Sequence, residues 1–337
     1  MRRINITGGN TRGRNKKRTM RLLTFETAGQ QRLGAEWNGR IVDLQNAAAA
    51  KELVQYGVGA AQALAARFPS DMLAYLQGGT AARQVASEAI EFVQGLPDNV
   101  LDDLTGSSAI LYRDHQIRRR APIARPGKIV CLGLNYRDHA AESGMPVPSE
   151  PVLFCKYSNT VIGPGDTIVL PGTSDQVDYE AELVFVIGKA GRNIPREQAL
   201  AHVAGYTCGH DVSARDYQLK RGGGQWMVGK TWDTFAPMGP VLVTSDEGLD
   251  PNNLPIRCVL NGETMQNSNT SQFVFDVAST IEYLSHVMTL EVGDAIFTGT
   301  PPGVGFARKP PVFLKDGDVV EIQIDGIGTL RNPVKAG

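Results

Sequence analysis

Cysteine is scarce in this chain. Its 337 residues hold four, Cys131, Cys155, Cys208 and Cys258, with no CxxC and no Cys/His pair at zinc-ligand spacing. That argues against a disulfide scaffold and a zinc finger, and fits buried free thiols in a reducing compartment. Net charge is nearly absent as well: 34 Lys and Arg against 35 Asp and Glu leave −1. The chain as a whole therefore gives no reason to expect nucleic acid as a partner. No apolar run approaches the roughly 20 residues of a membrane span, so no membrane partner is expected. The N-terminus shows no apolar core of a secretory signal, and no internal repeat is visible. What is present is ordinary for a soluble globular protein, 42% hydrophobic and 20% charged residues.

The charge that exists is unevenly placed. Residues 1–21 carry eight basic side chains and no acid, the first acid being Glu26. A mitochondrial presequence is similarly Arg-rich, but this stretch has no apolar helical face, and Gly8, Gly9 and Gly13 oppose a helix. Residues 1–19 are read as a disordered basic tail, contributed by an early start codon or by cloning, with Met20 as the functional start. From Met20, RLLTFE and RLGAEW read as strands and Asn38-Gly39 as a hairpin turn. Helical patterns follow at 44–56, 58–67, 69–77 and 80–94. Residues 20–118 are expected to form a small α/β domain, with 107–126 a basic connector. Residues 119–337 are rich in short β-like runs with helices at 195–203 and 275–290. The expected class is α+β, β-rich.

Two nucleotide-binding lookalikes, one of a phosphate loop and one of a dinucleotide fingerprint, are rejected. GQWMVGKT (224–231) satisfies G-x-x-x-x-G-K-[ST], yet a polar, glycine-rich stretch precedes it, and Pro237 and Pro240 forbid a long helix after it. GVGAAQ (57–62) lacks a third glycine and a leading strand.

The informative run is DYEAELVFVIG (178–188). As a strand it puts Glu180, Glu182, Val184 and Val186 on one face and Ala181, Leu183, Phe185 and Ile187 on the other. Two carboxylates side by side in an apolar strand repel and are poorly solvated, so protonation, cationic side chains or a metal must compensate. The run alone equally fits a frayed strand start with both glutamates in water. Asp211, in GYTCGHDVSARDYQ, shifts the balance: three carboxylates without thiol or imidazole make a hard-oxygen site that suits Mg²⁺, Mn²⁺ or Ca²⁺.

NYRDHAAESG (135–144) reads as a two-turn helix, with Asn135 as N-cap, Asp138 completing a capping box and Gly144 at the C-terminus. His139 and Glu142 would then share a face, and a carboxylate beside an imidazole suits general-base work. So short a helix fits a lid that orders over substrate. Taken alone, the pair is better read as an exposed ion pair. His115, His202, His210 and His286 are read as structural or surface residues.

LGLNYRDHAAE, IGPGD, DYEAEL, GYTCGHDVSARDYQ, GKTWDTFAPMGP, LNGE, TGTPPGVG and LKDGDVVEIQIDGIGTL, in this order over about residues 127–334, resemble the fumarylacetoacetate hydrolase superfamily. The nearest likeness is to members similar to fumarylacetoacetate hydrolase domain-containing protein 2. The resemblance implies a mixed β-sandwich or roll, a homodimer and an Mg²⁺ or Mn²⁺ site held by Glu180, Glu182 and Asp211. It also implies a catalytic His139–Glu142 dyad, an active-site Lys230, and substrate contacts from Arg215, Gln218 and Thr300. Fumarylacetoacetate hydrolase itself departs from this pattern, with an aspartate near the place of Asn135 and its catalytic glutamate elsewhere. The activity implied is C–C hydrolysis of a 2,4-dioxo (acylpyruvate-type) acid through a metal-bound enolate. Oxaloacetate tautomerase or decarboxylase, or dienoate isomerase, are alternatives on the same site, and a non-catalytic metal-dependent binder is an alternative of another class. A cytoplasmic location is expected, with the mitochondrial matrix as the alternative.

Overall fold

The computed structural model describes residues 20–138 and 146–337. Its largest sheet has 12 strands. Across it run Leu111–Tyr112, Arg40–Asp43, Gln30–Trp37, Arg21–Thr27, Ala236–Thr244, Val203–His210, Ala181–Ile187, Ala295–Phe297, Ile129–Gly133 and Val152–Lys156. Arg118–Arg120 adds to Arg21–Thr27, and Val161–Ile162 to Ala236–Thr244. The sheet is mixed, because Ala295–Phe297 runs parallel to Ile129–Gly133 while its other neighbour, Ala181–Ile187, is antiparallel. A 5-stranded sheet is built from Glu263–Asn269, Pro255–Leu260, Val319–Ile324, Gly328–Ala336 and Ile168–Leu170, and Val177–Asp178 pairs separately with Ser213–Ala214. The expected α+β, β-rich class holds.

Period-two alternation explains how the core is assembled. Ala181–Ile187 is buried on both faces, as a continuous apolar run in a covered sheet should be. Leu183, Phe185 and Ile187 join the large core between the sheets, whereas Val184 packs with Met238 and Phe297. Near the N-terminus, Leu23 and Phe25 face the same large core, while Leu22 turns to the helical side. There Leu44–Tyr56 and Gly79–Gln94 lay Ala47, Ala86, Ala89 and Val93 against Leu22, Val42, Val186 and Leu242. Asp43 caps the first of these helices, accepting from Asn46 N at 2.9 Å.

Main-chain pairing crosses the division expected at 118/119. Arg21 and Leu22 pair with Val243 and Leu242, and Arg118–Arg120 lies on Arg21–Thr27. The stretch expected as a connector thus contributes strands.

Other details differ from the sequence reading. The third helix starts later, at Met72. A helix at Asp98–Leu104 and the polar strand Glu263–Asn269 were not anticipated. The strand expected from 178 is broken at Tyr179 and Glu180, because Val177–Asp178 pairs with Ser213–Ala214 rather than continuing into the main sheet. Asn135 is more than an N-cap candidate: its buried amide donates to Phe275 O (3.0 Å) and Thr298 O (2.8 Å) and accepts from Phe275 N (2.8 Å). It ties three segments together. The stretch before Lys230 holds a short helix, Met227–Lys230, preceded by the three-residue turn Gly222–Gly224 and not by a strand.

Candidate metal centre and active site

Strand register brings the acids together. Ala181 pairs with His210 and Glu182 with Gly209, so the residues flanking this ladder, Glu180 and Asp211, meet where it ends. Asp211 N donates to Glu180 O at 3.0 Å. Ligand oxygens of Glu180, Glu182 and Asp211 all lie within 4.8 Å of one another, and all three residues are buried. The backbone of Ala295–Phe297 carries the next contact. Phe297 pairs with Val184, and just beyond it Gly299 N donates to Glu182 Oε2 at 2.7 Å. Gly299 has φ +93°, and a Cβ there would stand 2.9 Å from the Asn135 Cβ, so this close approach calls for glycine.

Three cations answer the carboxylates. Lys230 Nζ donates to Glu180 Oε2 at 2.7 Å and to Asp211 Oδ2 at 2.8 Å. Arg215 Nη2 lies 2.8 Å from Glu180 Oε1, its Nε donates to Asp178 Oδ2 at 2.8 Å, and its Nη1 to Gln218 Oε1 at 2.9 Å. Arg215 and Gln218 share the helix Arg215–Lys220, three residues apart and therefore on one face. Lys156 is buried and donates to the carbonyls of Val212 (3.0 Å), Lys230 (2.5 Å) and Phe235 (2.8 Å). Its Nζ also stands 2.6 Å from Asp211 Oδ1. With its three protons already serving carbonyls, this fourth contact is one of charge rather than an aligned hydrogen bond.

Charge and burial split the acids. Burial would raise the Glu180 carboxyl, but Lys230 and Arg215 overcome it and hold it down at about 2. Glu182 goes the other way: burial, then the like charges of Asp211 and Glu180, push its pKa well above the usual carboxylate range. Burial opposes the charge on Lys230, yet Asp211 and Glu180 outweigh it and raise its pKa. His210 is driven down to about 3 by burial and then by Lys156, so it is neutral.

Asp178 is a hub. Its carboxylate accepts from Tyr179 N (2.8 Å), Gly305 N (2.7 Å), Phe306 N (2.9 Å) and Arg215 Nε (2.8 Å). It thereby joins the arginine to the loop that walls the cavity.

A cavity of about 340 Å³ opens on this cluster. Glu180, Glu182, Arg215, Gln218, Lys230 and Thr300 form its polar end, and Leu132, Phe154, Leu219, Trp226, Val304 and Phe306 its apolar walls. Thr300 is further fixed by Gln266 Nε2, which donates to its Oγ1 at 2.8 Å. Asp211 does not line the cavity; Lys230, bonded to it, does. Of the residues expected at the site, Glu180, Glu182, Asp211, Arg215, Gln218, Lys230 and Thr300 are brought together. His139 and Glu142 lie outside the described residues. Lys156, Asp178 and Gln266 were missed. A lysine inside the apolar strand VLFCK was the available signal for the first, and the aspartate opening DYEAEL for the second.

The donor set fits a hard divalent cation, being all carboxylate oxygen with neither thiol nor imidazole among the three. The buried three-carboxylate group could hold a divalent metal at the polar end of a cavity large enough for a small molecule. Comparison with known proteins makes the class specific. The model of the fumarylacetoacetate (FAA) hydrolase C-terminal region matches residues 128–335, and the chain belongs to the fumarylacetoacetate hydrolase family of enzymes. It is 45% identical to the protein named oxaloacetate tautomerase fahd2, mitochondrial, of Xenopus laevis, over 94% of this chain and 90% of that one. Among solved structures it is similar to a putative HpcE protein from Mycobacterium smegmatis, at 35% identity and TM-score 0.76, covering 94% of this chain and 100% of that one. It is also similar to a fumarylacetoacetate hydrolase from Exiguobacterium antarcticum, at 35% identity and TM-score 0.73 with the same coverage.

Proposed function

We propose that the chain is a tautomerase that interconverts the keto and enol forms of oxaloacetate in an Mg²⁺- or Mn²⁺-dependent site, with Ca²⁺ also compatible with the ligands. The observation that carries this is the buried group Glu180, Glu182 and Asp211 beside Lys230 at the polar end of the cavity. The name of the 45%-identical relative supplies the substrate. A divalent cation bound there would supply Lewis-acid polarisation of the keto and carboxylate oxygens of a 2-oxo acid. The chain's own residues do the rest. Lys230 offers a fixed positive charge to the C2 oxygen as negative charge grows on it. Gln218 and Thr300 hydrogen-bond the substrate. Arg215, whose three nitrogens are engaged by Asp178, Gln218 and Glu180, holds Glu180 in place. His139, oriented by Glu142, moves the proton at C3.

C–C hydrolysis of an acylpyruvate is the second reading, and it reverses the order expected from the sequence. The apolar walls Phe154, Leu219, Trp226, Val304 and Phe306 favour it, because they suit a carbon side group. His139 would then deprotonate water for attack at C4, and the C3–C4 bond would break. Decarboxylase and dienoate isomerase activities use the same residues. Family membership supports a homodimer. For the compartment, the mitochondrial relatives favour the matrix over the cytoplasm.

The test is a substrate panel with Mg²⁺: enol and keto oxaloacetate, acylpyruvates and 2,4-dioxo sugar acids, followed by enol absorbance and by product. Enol oxaloacetate is expected to turn over fastest without release of CO₂. Glu182→Gln should abolish every activity, and His139→Ala should lower it by ~10²-fold or more. Activity that is undiminished in EDTA would sink the metal-dependent reading, and faster acylpyruvate cleavage would put the hydrolase first.

A further inference from the structure

We infer that Lys230 is a tethered cation that competes with the divalent ion for Glu180 and Asp211, so that metal loading drives its ammonium off those two carboxylates and frees it toward the cavity. The inference rests on the proposed metal site and adds an exchange to it.

Oxygen accounting carries the argument. Each of the two carboxylates has one oxygen beside a different, immobilised cation, although the buried Asp211 Oδ1 accepts no hydrogen bond. Glu180 Oε1 is 2.8 Å from Arg215 Nη2, and Arg215 is itself held by Asp178 and Gln218. Asp211 Oδ1 is 2.6 Å from Lys156 Nζ, which three backbone carbonyls pin. A divalent ion at either oxygen would be thrust against a fixed positive charge. The oxygens that remain are Glu180 Oε2 and Asp211 Oδ2, and Lys230 Nζ holds both, at 2.7 and 2.8 Å. Lys230 thus stands on the two oxygens that face no other fixed cation, neutralising buried carboxylates that would otherwise repel.

The exchange is mechanically open. The Lys230 main chain is fixed, because its carbonyl accepts from Lys156 Nζ, while its four-carbon stem can swing. Lys230 already lines the cavity and Asp211 does not. The Phe154 ring centroid already lies 4.9 Å from the ammonium, so a cation–π contact on the cavity wall can keep stabilising the charge if it swings away. A metal-free site would keep Lys230 tied down, and only a loaded site would present it to substrate.

The experiment is titration of the EDTA-stripped full chain with Mn²⁺ alone, without substrate, by calorimetry and by electron paramagnetic resonance. Lys230→Met and Lys230→Gln are compared with the unaltered protein, and their folding is checked by circular dichroism. Both variants should bind Mn²⁺ on the order of tenfold more tightly. A crystal structure of the Mn²⁺-loaded unaltered chain should show Lys230 Nζ detached from both oxygens. Equal or weaker binding by a folded variant overturns the exchange, and so does a loaded structure in which both Lys230 bonds persist. The structure decides the question even if neither variant folds. If the unaltered chain takes up no Mn²⁺, the metal reading itself fails and the exchange falls with it.

Discussion

At the scale of single residues, Glu182 makes the sharpest pH prediction. Burial and two like charges raise its pKa in the metal-free chain, so wherever it is protonated a divalent ion must displace that proton. Apparent Mn²⁺ affinity should therefore rise about tenfold per pH unit below that pKa and level off above it. The same shift acts on stability. A carboxyl whose folded pKa is raised binds its proton more tightly when folded, so its contribution is fully present below the ordinary value of 4.5 and is lost as pH rises through the folded value. Glu180, held down at about 2, contributes in the opposite sense and only toward strong acid. Thermal melts in EDTA should accordingly fall as pH rises above 4.5, and Mn²⁺ should reverse the fall; melts insensitive to Mn²⁺ would contradict this. The pair Glu180/Glu182 was legible because charge in an apolar, period-two run is conspicuous. Lys156 was not. Its partners are main-chain carbonyls far away in sequence, at Val212, Lys230 and Phe235, and carbonyls leave no mark on a sequence pattern.

At the scale of elements, helices with a strong alanine-rich pattern, such as Leu44–Tyr56 and Gly79–Gln94, were readable, as were strands with a dense apolar run. Glu263–Asn269 was not, because it is an edge strand of the 5-stranded sheet with a largely polar sequence. The loop after Ala295–Phe297 was legible only through its motif, and its shape depends on Asp178. Gly305 N donates to Asp178, and a Cβ on Gly305 would collide with Val312 O and stand 2.7 Å from Asp178 Oδ1. Gly305→Ala should push Phe306 and its neighbours out of register, at a cost of about 1–3 kcal/mol in stability. Steady-state kinetics should show a raised KM, with Mn²⁺ affinity kept within about twofold, since the loop holds no carboxylate of the metal group. A change in metal affinity without a change in KM would mean that the loop acts on the ligands instead.

At the scale of the molecule, the question is whether residues 20–118 can be removed. The sequence reading divides the chain at 118/119, which invites a cut there. The structure supplies three reasons for a cut to fail. Arg21–Thr27 is hydrogen-bonded to Ala236–Thr244, so deletion turns an interior strand of the main sheet into an open edge. Val186 and Leu242 lose the Leu22, Val42 and Ala86 packing that buries them on the helical side. Arg118–Arg120 loses its only strand partner in that sheet among the described residues. A long, apolar, newly exposed strand is an aggregation site, and each buried aliphatic side chain uncovered costs about 1.5–3 kcal/mol. The fragment 119–337 is therefore expected to be insoluble, or to melt far below the full chain, even though Glu180, Glu182, Asp211 and Lys230 all lie within it. Expression of 119–337 beside 20–337, compared by solubility, circular dichroism and Mn²⁺ uptake, decides the matter. A soluble, cooperatively melting 119–337 that still binds Mn²⁺ would show that 118/119 is a true domain boundary and that the shared sheet contributes little.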